Sequence, residues 1–380
     1  MKITKVFNAF FESEKAGGLL LIFCTLVSLI FANSIFGTNY LAFWHATIGS
    51  HSIEIWINDG LMAIFFLLIG LELERELYNG ELSKIRNAML PLFGAIGGML
   101  IPALFYLSLN FNTTTQLGFG IPMATDIAFA IGILSLLGNR VPTSLKVFLT
   151  ALAVIDDLGA ILVIAIFYTK TIVWSNLAIV FLILGFLFLL NRLKVYRLLP
   201  YLIGGIFMWY FMMNSGIHAT LTGVLLAFVI PFGNGKSKSP SLTLQHFLHK
   251  PIAFIVLPLF AVANTALVIT SNWHSALYER YTLGIALGLL LGKPVGISLF
   301  SYLSVRLKVS KLPYDISYKT LFGVSILGGI GFTMSIFVTL LAFGDEIHIN
   351  NSKIMILIAS LVSGLIGFLV LKYTLNSRID

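Results

Sequence analysis

The amino-acid sequence predicts an all-α polytopic membrane protein. Of its 380 residues, 58% are hydrophobic and only 11% are charged, and the mean hydropathy is +0.96. Soluble globular proteins do not combine these values. The apolar residues also come in runs of about 20, the length that a helix needs to cross a bilayer. The lipid bilayer is therefore the expected environment of most of this chain.

Twelve apolar runs predict about twelve transmembrane helices. They cover approximately residues 16–36, 60–78, 88–109, 116–137, 143–168, 175–191, 199–213, 216–232, 247–270, 281–305, 320–343 and 353–375. The seventh and eighth runs are short and share a tight junction at Asn214-Ser215. The count of twelve depends on treating them as two helices.

Basic residues are distributed unevenly between the two sides that these runs define. Alternate connecting segments, counted from the N-terminus, hold 20 of the 24 Lys and Arg residues. The segments between them hold Lys170, Arg280 and Lys353, and Lys293 is left inside a run. Because basic residues favour the cytoplasmic side, both termini are predicted to be cytoplasmic. The protein is expected in the inner (cytoplasmic) membrane of the cell.

The segment 45–58 is predicted to form a small extracytoplasmic β-hairpin. Its second half, 53–57, alternates aliphatic residues with a larger polar and an aromatic residue, and Gly49-Ser50 supplies a turn. An isolated hairpin is marginally stable in water, so this one is expected to pair with another protomer. An ordinary loop is the alternative.

Composition excludes several classes of function. The formal net charge is +8, but the basic residues are scattered singly and in pairs. Without a continuous basic face, nucleic acid is not expected as a partner. The sequence has one cysteine, Cys24, which excludes disulfides within the chain and cysteine-based metal sites. No cofactor is indicated.

The fifth run contains two adjacent carboxylates, Asp156 and Asp157, near its middle. An ionised Asp at that depth costs roughly 2.5–3.5 kcal/mol on insertion scales, so stability does not explain the pair. With an oxygen from the region of Thr125, the two offer the hard ligands that a small alkali cation prefers. They also bind protons in competition with the cation. The pair therefore predicts a cation/proton exchange site, with a structural ion pair as the alternative.

The fourth and eleventh runs are expected to be broken at mid-membrane. The fourth contains Gly118-Phe-Gly-Ile-Pro122 and the eleventh contains Gly328-Gly-Ile-Gly331. Glycine and proline both weaken a helix interior. Two interrupted spans in the two halves of one chain indicate a transporter with repeats and a site near the membrane midplane.

Half-helices that meet end to end leave partial charges that side chains can compensate. Asp126 suits two facing N-terminal ends, and Lys293 suits two facing C-terminal ends. Gly292 and Pro294 loosen the backbone around Lys293. Lys293 is predicted to form a salt bridge with one carboxylate of the pair in one conformation. A lysine that snorkels to the membrane interface is the alternative.

Other polar residues give weaker signals. The charged residues of the second run lie at its ends, where solvated charges are ordinary: Asp59, Glu72, Glu74, Arg75 and Glu76. His218 is either a pH-sensitive group or a helix-packing histidine. His246 and His249, close to Lys250, are predicted to be interfacial.

Five motifs in this chain resemble those of the NhaA family of Na+/H+ antiporters. They are Ala124-Thr-Asp-Ile-Ala-Phe-Ala130, Leu152-Ala-Val-Ile-Asp-Asp-Leu-Gly-Ala160, Ser215-Gly-Ile-His-Ala-Thr220, Leu291-Gly-Lys-Pro294 and Gly329-Ile-Gly-Phe-Thr-Met-Ser-Ile336. The motifs follow the family's order and spacing. The resemblance runs nearly from end to end of the chain.

The resemblance implies a fold and an activity. The fold has twelve helices with inverted-topology repeats, in which the broken fourth and eleventh helices cross, and a homodimer forms through the hairpin. Within one transporter domain, 1–380, core spans are expected at about 88–168 and 281–375, and interface spans at about 12–86 and 175–270. The implied activity is pH-regulated, electrogenic exchange of more protons inward than Na+ or Li+ outward.

The resemblance also implies roles for the midplane residues. Asp157 is the chief cation ligand, and Asp156 is its partner, which pairs with Lys293 when the site is empty. Thr125 is a neighbouring ligand. Asp126 and Lys293 compensate the dipoles of the broken helices, and Lys293 is a candidate carrier of a transported proton.

A cytoplasmic funnel with a pH response is implied as well. Its matching positions are Glu72, Arg75, Glu76, His218 and His249. Gln245 departs from the family, which has an acid at this place. Because Gln does not titrate, the sequence predicts that this protein exchanges cations but responds differently to pH.

Two other functions fit parts of the sequence. A proton- or sodium-coupled transporter of another substrate, such as an organic anion, needs an additional basic or aromatic substrate pocket, and the runs show no second buried cation besides Lys293. An intramembrane aspartyl protease needs two aspartates on separate helices, as Asp126 and Asp157 are, but the Gly-x-Gly-Asp setting is absent. Enzymatic activity is therefore not expected.

Overall fold

The computed structural model describes residues 2–49, 51–80, 83–169, 171–233, 239–269 and 273–376, and it is mostly helical. The helices are α1 (Lys2–Ala32), α2 (Gly37–His45), α3 (Ile53–Asn79), α4 (Ile85–Asn110), α5 (Ile127–Ser135), α6 (Thr143–Phe167), α7 (Trp174–Arg192), α8 (Leu199–Met213), α9 (Leu221–Val229), α10 (Pro240–Asn264), α11 (Arg280–Arg306), α12 (Tyr318–Leu327), α13 (Phe332–Ala342) and α14 (Glu346–Asn376). A 3-10 helix covers Gln116–Met123, and short helical turns lie at Gly138–Arg140 and Trp273–Ala276. Ser50 of the predicted turn and Lys170, Lys236, Lys238 and Arg378 of the predicted charge asymmetry lie outside the described residues.

The prediction of a helical, multi-span membrane protein is confirmed. Among the described residues, eight helices are long and apolar enough to cross a membrane. Two bent pairs pass the same test together, with angles of 113° where α1 meets α2 and 49° where α12 meets α13, which gives up to ten spans. The predicted seventh and eighth runs become α8 and α9, with 15 and 9 residues. Both are shorter than the roughly 20 residues of a straight span.

The hairpin is smaller than the predicted segment 45–58. Strands β1 (Thr47–Ile48) and β2 (His51–Ser52) pair antiparallel, and Gly49 takes a φ of +70° between them. The alternating segment 53–57 forms the first turns of α3, so the prediction of a strand there is wrong. The Ser52 hydroxyl accepts a hydrogen bond from the Ile55 N–H at 3.3 Å. This N-cap favours helix over strand at the point where the alternation begins.

Spans four and eleven are both interrupted, and the two interruptions touch. Between the 3-10 helix and α5, residues 124–126 have no helical structure. Between α12 and α13, residues 328–331 turn the helix axis by 49°. The Asp126 N–H donates to the Ile330 carbonyl oxygen at 2.7 Å. The extended backbone of one break therefore pairs directly with the other.

Helices α4, α6 and α11 pack around these breaks. Helices α4 and α11 cross closely at Gly97 and Gly296, where a Cβ on either residue would overlap the backbone carbonyl of the other. The absence of side chains at both positions permits this close approach. Because Gly296 lies one turn after Lys293, the crossing places the Lys293 side chain inside the bundle.

A second lysine is also buried in a helix, contrary to the sequence prediction. Lys353 lies in α14 and is only 4% exposed. Its Nζ lies 3.8 Å from Oε1 of Glu54, near the start of α3. The polar residues before Lys353 suggested a connecting segment, but α14 already begins at Glu346. Lys293 is therefore not the sole buried cation, although a carboxylate matches the charge of Lys353.

Candidate cation site

The two adjacent carboxylates lie in the middle of α6. This helix follows Pro142, whose fixed φ suits the start of a helix, and it continues without a break to Phe167. Asp156 and Asp157 are both 0% exposed. Because consecutive helical side chains point about 100° apart, the two carboxylates face different neighbours.

Asp156 faces Thr125 of span four and Lys293 of α11. Its Oδ2 accepts a hydrogen bond from the Thr125 hydroxyl at 2.6 Å and forms an ion pair with Lys293 Nζ. Lys293 is 0% exposed and also donates to Thr125 Oγ1 at 2.7 Å. The three side chains form a closed triangle. Lys293 therefore pairs with Asp156 in this structure and does not snorkel to the interface.

Thr125 connects this triangle to span eleven. Its hydroxyl lies 2.9 Å from the carbonyl oxygen of Gly328, the residue that ends α12. A hydroxyl carries a single proton, so Thr125 donates to either Gly328 or Asp156 at any one time. The Thr125 side chain therefore links the C-terminal end of α12 to both Asp156 and Lys293.

Local helix geometry directs Lys293 toward the triangle. A π turn, Gly288–Gly292, immediately precedes Lys293, and the Lys293 N–H donates to the Gly288 carbonyl five residues earlier. A π turn holds one residue more than an α turn and so changes the direction of the side chains that follow it. The next residue, Pro294, has no N–H. The sequence predicted a loosened backbone around Gly292 and Pro294. The structure has a π turn there, which shifts the helix register by one residue.

Asp126 lies where the N-terminal ends of α5 and α13 meet. Its Oδ1 accepts from the Phe129 N–H at 3.0 Å, which caps α5. Its Oδ2 accepts from the N–H and the hydroxyl of Thr333, at 3.1 and 2.5 Å, in the first turn of α13. The carboxylate is buried, so its negative charge faces two partial positive helix ends. The sequence predicted this type of contact for Asp126.

Asp157 has a different environment. Neither of its carboxylate oxygens has a hydrogen-bond partner in the described part of the chain, and the same holds for Oδ1 of Asp156. The groups that act on Asp157 electrostatically are mostly acidic, namely Asp156, Asp126 and Glu72, with Lys293 of opposite sign. Buried polar atoms normally have partners. Three carboxylate oxygens without donors form a set that a small cation or protons would satisfy.

A profile of the family described as Na+/H+ antiporter 1 matches residues 8–371 of the chain. The chain belongs to the Na+/H+ antiporter 1 family. Among its relatives, the Na+/H+ antiporter NhaA of Flavobacterium psychrophilum is 65% identical over 379 residues, which cover 100% of this chain and 99% of the relative. The NhaA proteins of Cytophaga hutchinsonii and Vibrio cholerae are 58% and 48% identical, over 100% and 96% of this chain and 98% and 97% of those relatives. The resemblance found in the sequence motifs is confirmed.

In this member of the Na+/H+ antiporter 1 family, acidic residues of α3 are buried against α10. Glu72 and Glu74 are 7% and 5% exposed. Oε2 of Glu74 accepts from the Ser241 hydroxyl at 2.8 Å, and Oε1 of Glu72 lies 3.9 Å from Nδ1 of His249. The expectation of solvated charges is therefore wrong for these two glutamates. They face the interior because α10 covers this side of α3.

Three other predicted pH-response residues lie in the same region. Arg75 and Glu76 pair with each other at 2.8 Å near the end of α3. Gln245 is buried four residues before His249, hence on the same face of α10, and its Oε1 has no partner among the described residues. The structure therefore brings Gln245 and His249 to one surface of α10, which packs on the helix that carries Glu72.

His218 lies apart from that group. Its Nε2 is 2.9 Å from the carbonyl oxygen of Tyr168, the residue after the end of α6. Tyr168 follows Asp157 by 11 residues, or about 16 Å along a helix axis. Of the two histidines predicted to be interfacial, His246 is exposed on α10, whereas His249 is partly buried beside Glu72. The structure thus places His218 at one end of the carboxylate helix and away from the α3–α10 group.

Three hydroxyl residues at the crossing of the broken spans were not assigned from the sequence. Thr333 donates to the carboxylate of Asp126, which caps α5, and the Ser335 hydroxyl donates to the Ile121 carbonyl at 2.7 Å. Ser360 of α14 accepts from the Phe332 N–H at 3.1 Å. Thr333 and Ser335 belong to the last of the five family motifs, which was a signal. Ser360 lies in the apolar part of α14 and gave none.

Proposed function

We propose that this chain is a secondary active Na+(Li+)/H+ antiporter of the inner membrane, which extrudes Na+ in exchange for protons. Membership of the Na+/H+ antiporter 1 family supports this activity. One structural observation carries the proposal. The Asp157 carboxylate is buried beside the Asp156–Lys293 pair, and no donor among the described residues contacts it. A desolvated carboxylate needs either a proton or a cation, and alternation between the two is ion exchange.

Without a bound cation, the site has no net charge. Asp157 holds a proton, and Lys293 neutralises Asp156. A cation from the cytoplasm displaces the proton of Asp157 and is bound by both carboxylates and by the Thr125 oxygen. Asp156 then no longer compensates Lys293, whose desolvated ammonium group releases a second proton. Two protons leave for each cation bound, so the exchange is electrogenic.

The crossing of the broken spans provides a fixed electrostatic frame for this exchange. Asp126 compensates the N-terminal ends of α5 and α13, and Lys293 compensates the C-terminal end of α12 through Thr125. These compensations persist only while the crossing keeps its geometry. Alternating access then exposes the same carboxylate pair to each side of the membrane in turn.

We infer the following arrangement in the membrane. The fold has twelve spans with inverted repeats, and both termini are cytoplasmic, which the uneven distribution of basic residues supports. Spans at about 88–168 and 281–375 form the core, which the packing of α4, α6 and α11 around the breaks supports. Spans at about 12–86 and 175–270 form the interface side. The small hairpin, β1–β2, joins two copies into a homodimer.

The α3–α10 contact is the proposed site of pH regulation. The residues of this contact assigned to the pH response are Glu72, Arg75, Glu76, Gln245 and His249, and His218, beside the end of α6, is assigned to the pH response separately. The approach of Glu72 to His249 supports this assignment, because the protonation of an imidazole changes the charge of a buried contact.

Other functions are less well supported by the site. An organic anion would need an unmatched buried cation, whereas Lys353 is paired with Glu54 and Lys293 with Asp156. An aspartyl protease would need two carboxylates that share one water. The carboxylate of Asp126 is already engaged by backbone N–H groups of α5 and α13.

Flux through proteoliposomes tests the proposal. Purified protein is reconstituted, a proton gradient is imposed, and Na+, Li+ or K+ is added separately while a pH-sensitive dye is followed. We expect Na+ and Li+ to collapse the gradient and Asp157→Asn to leave it intact. Asp345→Asn, which changes a carboxylate exposed on the surface, is the matched control and should exchange like the wild type. Sodium-driven proton flux through folded Asp157→Asn would contradict the proposal.

A further inference from the structure

The crossing of spans four and eleven contains four helix ends whose backbone groups need partners. The first N–H and last C=O groups of a helix have no intrahelical partner, and leaving them unpaired away from water costs free energy. At the two N-terminal ends, Asp126 accepts from α5 and α13, and Ser360 accepts from α13. The two C-terminal ends need donors instead.

Those donors are hydroxyl groups, each supplied by the opposite span. Thr125 of span four lies 2.9 Å from the Gly328 carbonyl oxygen at the end of α12. Ser335 of span eleven donates to the Ile121 carbonyl oxygen near the end of the 3-10 helix, at 2.7 Å. Each broken span thus brings a hydroxyl group to a carbonyl oxygen beside the interruption of the other span.

The 3-10 helix ends two residues after Ile121. Its last residue is Met123, and Ala124 is already extended, with φ −80° and ψ 146°. Continuation as an α-helix would have supplied the Thr125 N–H to this carbonyl, four residues on. Ser335 takes the place of that donor and is itself 0% exposed.

We infer that Ser335 is a positioning residue for the cation site. Its hydroxyl holds the end of the 3-10 helix, four residues before Thr125. Thr125 in turn contacts Asp156 and Lys293. The Ser335 hydroxyl bonds to the Ile121 carbonyl, and no hydrogen bond joins it to Asp156 or Asp157 among the described residues, so it acts on binding through the placement of Thr125. This inference rests on the exchange activity proposed above.

The inference gives Ser335→Ala a specific kinetic signature. Without the hydroxyl, the Ile121 carbonyl loses its side-chain donor from span eleven, and the backbone between Ile121 and Thr125 loses this link to α13. The apparent KM for Na+ and Li+ should rise about tenfold, the factor that corresponds to one lost interaction of about 1.4 kcal/mol. The maximal rate should change little, because the carboxylates and Lys293 remain.

A matched control lies on the same helix. Thr339 is also 0% exposed, and its hydroxyl donates to the Ser335 carbonyl at 2.8 Å, within α13. Thr339→Val therefore removes a buried hydroxyl of α13 whose hydrogen bond lies within α13 and does not run to span four. A general effect of lost polarity on this helix would appear in both variants.

The test measures exchange against Na+ concentration in proteoliposomes for the wild type, Ser335→Ala and Thr339→Val. We expect a raised KM for Ser335→Ala and a wild-type KM for Thr339→Val. Equal KM values for the two variants, beside an active wild type, would overturn the role of Ser335. An inactive wild type would instead overturn the proposed function.

Ser335→Cys tests the inference if Ser335→Ala does not fold. Ser335→Cys keeps nearly the same volume and a weak S–H donor. It should show a KM between those of the wild type and the alanine variant. With Ser335→Ala unfolded, a wild-type KM in Ser335→Cys would overturn the inference.

Discussion

Asp126 and Asp157 are two buried carboxylates of one site with opposite surroundings. Asp126 accepts hydrogen bonds from the backbone of two helix ends and from a hydroxyl. Asp157 accepts none from the described residues, although it is at least as deeply buried. Burial is nearly the same for the two groups, so it does not distinguish their roles. The hydrogen-bond donors around each carboxylate distinguish the two roles.

The difference indicates which carboxylate is structural and which is available to a ligand. The charge of Asp126 is already balanced by the N-terminal ends of α5 and α13. Among the described residues, no donor contacts the Asp157 carboxylate, and Lys293, the group of opposite sign that acts on it, is paired with Asp156. A cation can therefore gain the full interaction with Asp157 without breaking protein hydrogen bonds to it.

Removing Lys293 should give the largest loss of stability, because it makes Asp156 resemble Asp157. Breaking a buried ion pair by removing one partner costs about 3–5 kcal/mol. Lys293→Met should therefore lower the Tm strongly, as followed by fluorescence during heating in detergent. Adding Asp156→Asn should restore most of the Tm without restoring exchange. A wild-type Tm in Lys293→Met alone would show that the pair contributes little.

Isosteric amides compare the two carboxylates directly. Asp126→Asn replaces one acceptor oxygen by an NH2 group that faces backbone donors, which should cost about 1–3 kcal/mol. Asp157→Asn breaks no hydrogen bond to the described residues and, like the protonated Asp157 proposed for the empty site, is neutral, so its Tm in sodium-free buffer should equal that of the wild type. Similar Tm losses in both variants would remove the distinction drawn between them.

A carboxylate introduced at position 245 tests whether charge in the α3–α10 contact sets the pH response. In Gln245→Glu, a negative charge one turn from His249 favours the protonated imidazole. If loss of that proton accompanies activation, the pH of half-maximal exchange should move to a higher value. Gln245→Met, which adds no charge, is the control. Superimposable pH profiles for Gln245→Glu and the wild type would argue against a role for this position.

The exposed carboxylate of Asp345 should give the smallest effect. The His348 backbone N–H donates to it at 2.9 Å and, with the His348 side chain, lowers the pKa of Asp345. A lowered pKa in the folded state contributes stability above the unfolded value of about 3.9, and this is lost as the pH falls through the folded value. Asp345→Asn should lower the Tm slightly at pH 7, with a difference that shrinks at acidic pH. A constant difference would exclude this linkage.

Much of the site could be predicted from the sequence because its signals are local. Two adjacent aspartates inside an apolar run are costly and therefore informative. The glycines and Pro122 mark the breaks, and Lys293 stands out as a charge among apolar residues. Asp126 could be matched to facing N-terminal ends because the dipole argument needs only the break and a nearby acid.

The features that sequence reasoning missed depend on distant partners or on competing local signals. Lys353 is buried because Glu54, far away in the chain, lies beside it. The acceptor of the Ser335 hydroxyl is likewise distant in sequence. At the hairpin, alternation favoured a strand, but the Ser52 cap favours a helix. Hydroxyl side chains are ordinary in apolar runs, and their pairing becomes visible only when the spans cross.

Sodium binding to the purified protein, measured by titration calorimetry, tests the central claim most directly. The claim is that a proton and a cation bind alternately to the Asp157 carboxylate. The wild type should bind Na+ with a heat that varies with the ionisation enthalpy of the buffer, because protons are released, and folded Asp157→Asn should give no sodium heat. Unchanged sodium heats in Asp157→Asn would contradict the account.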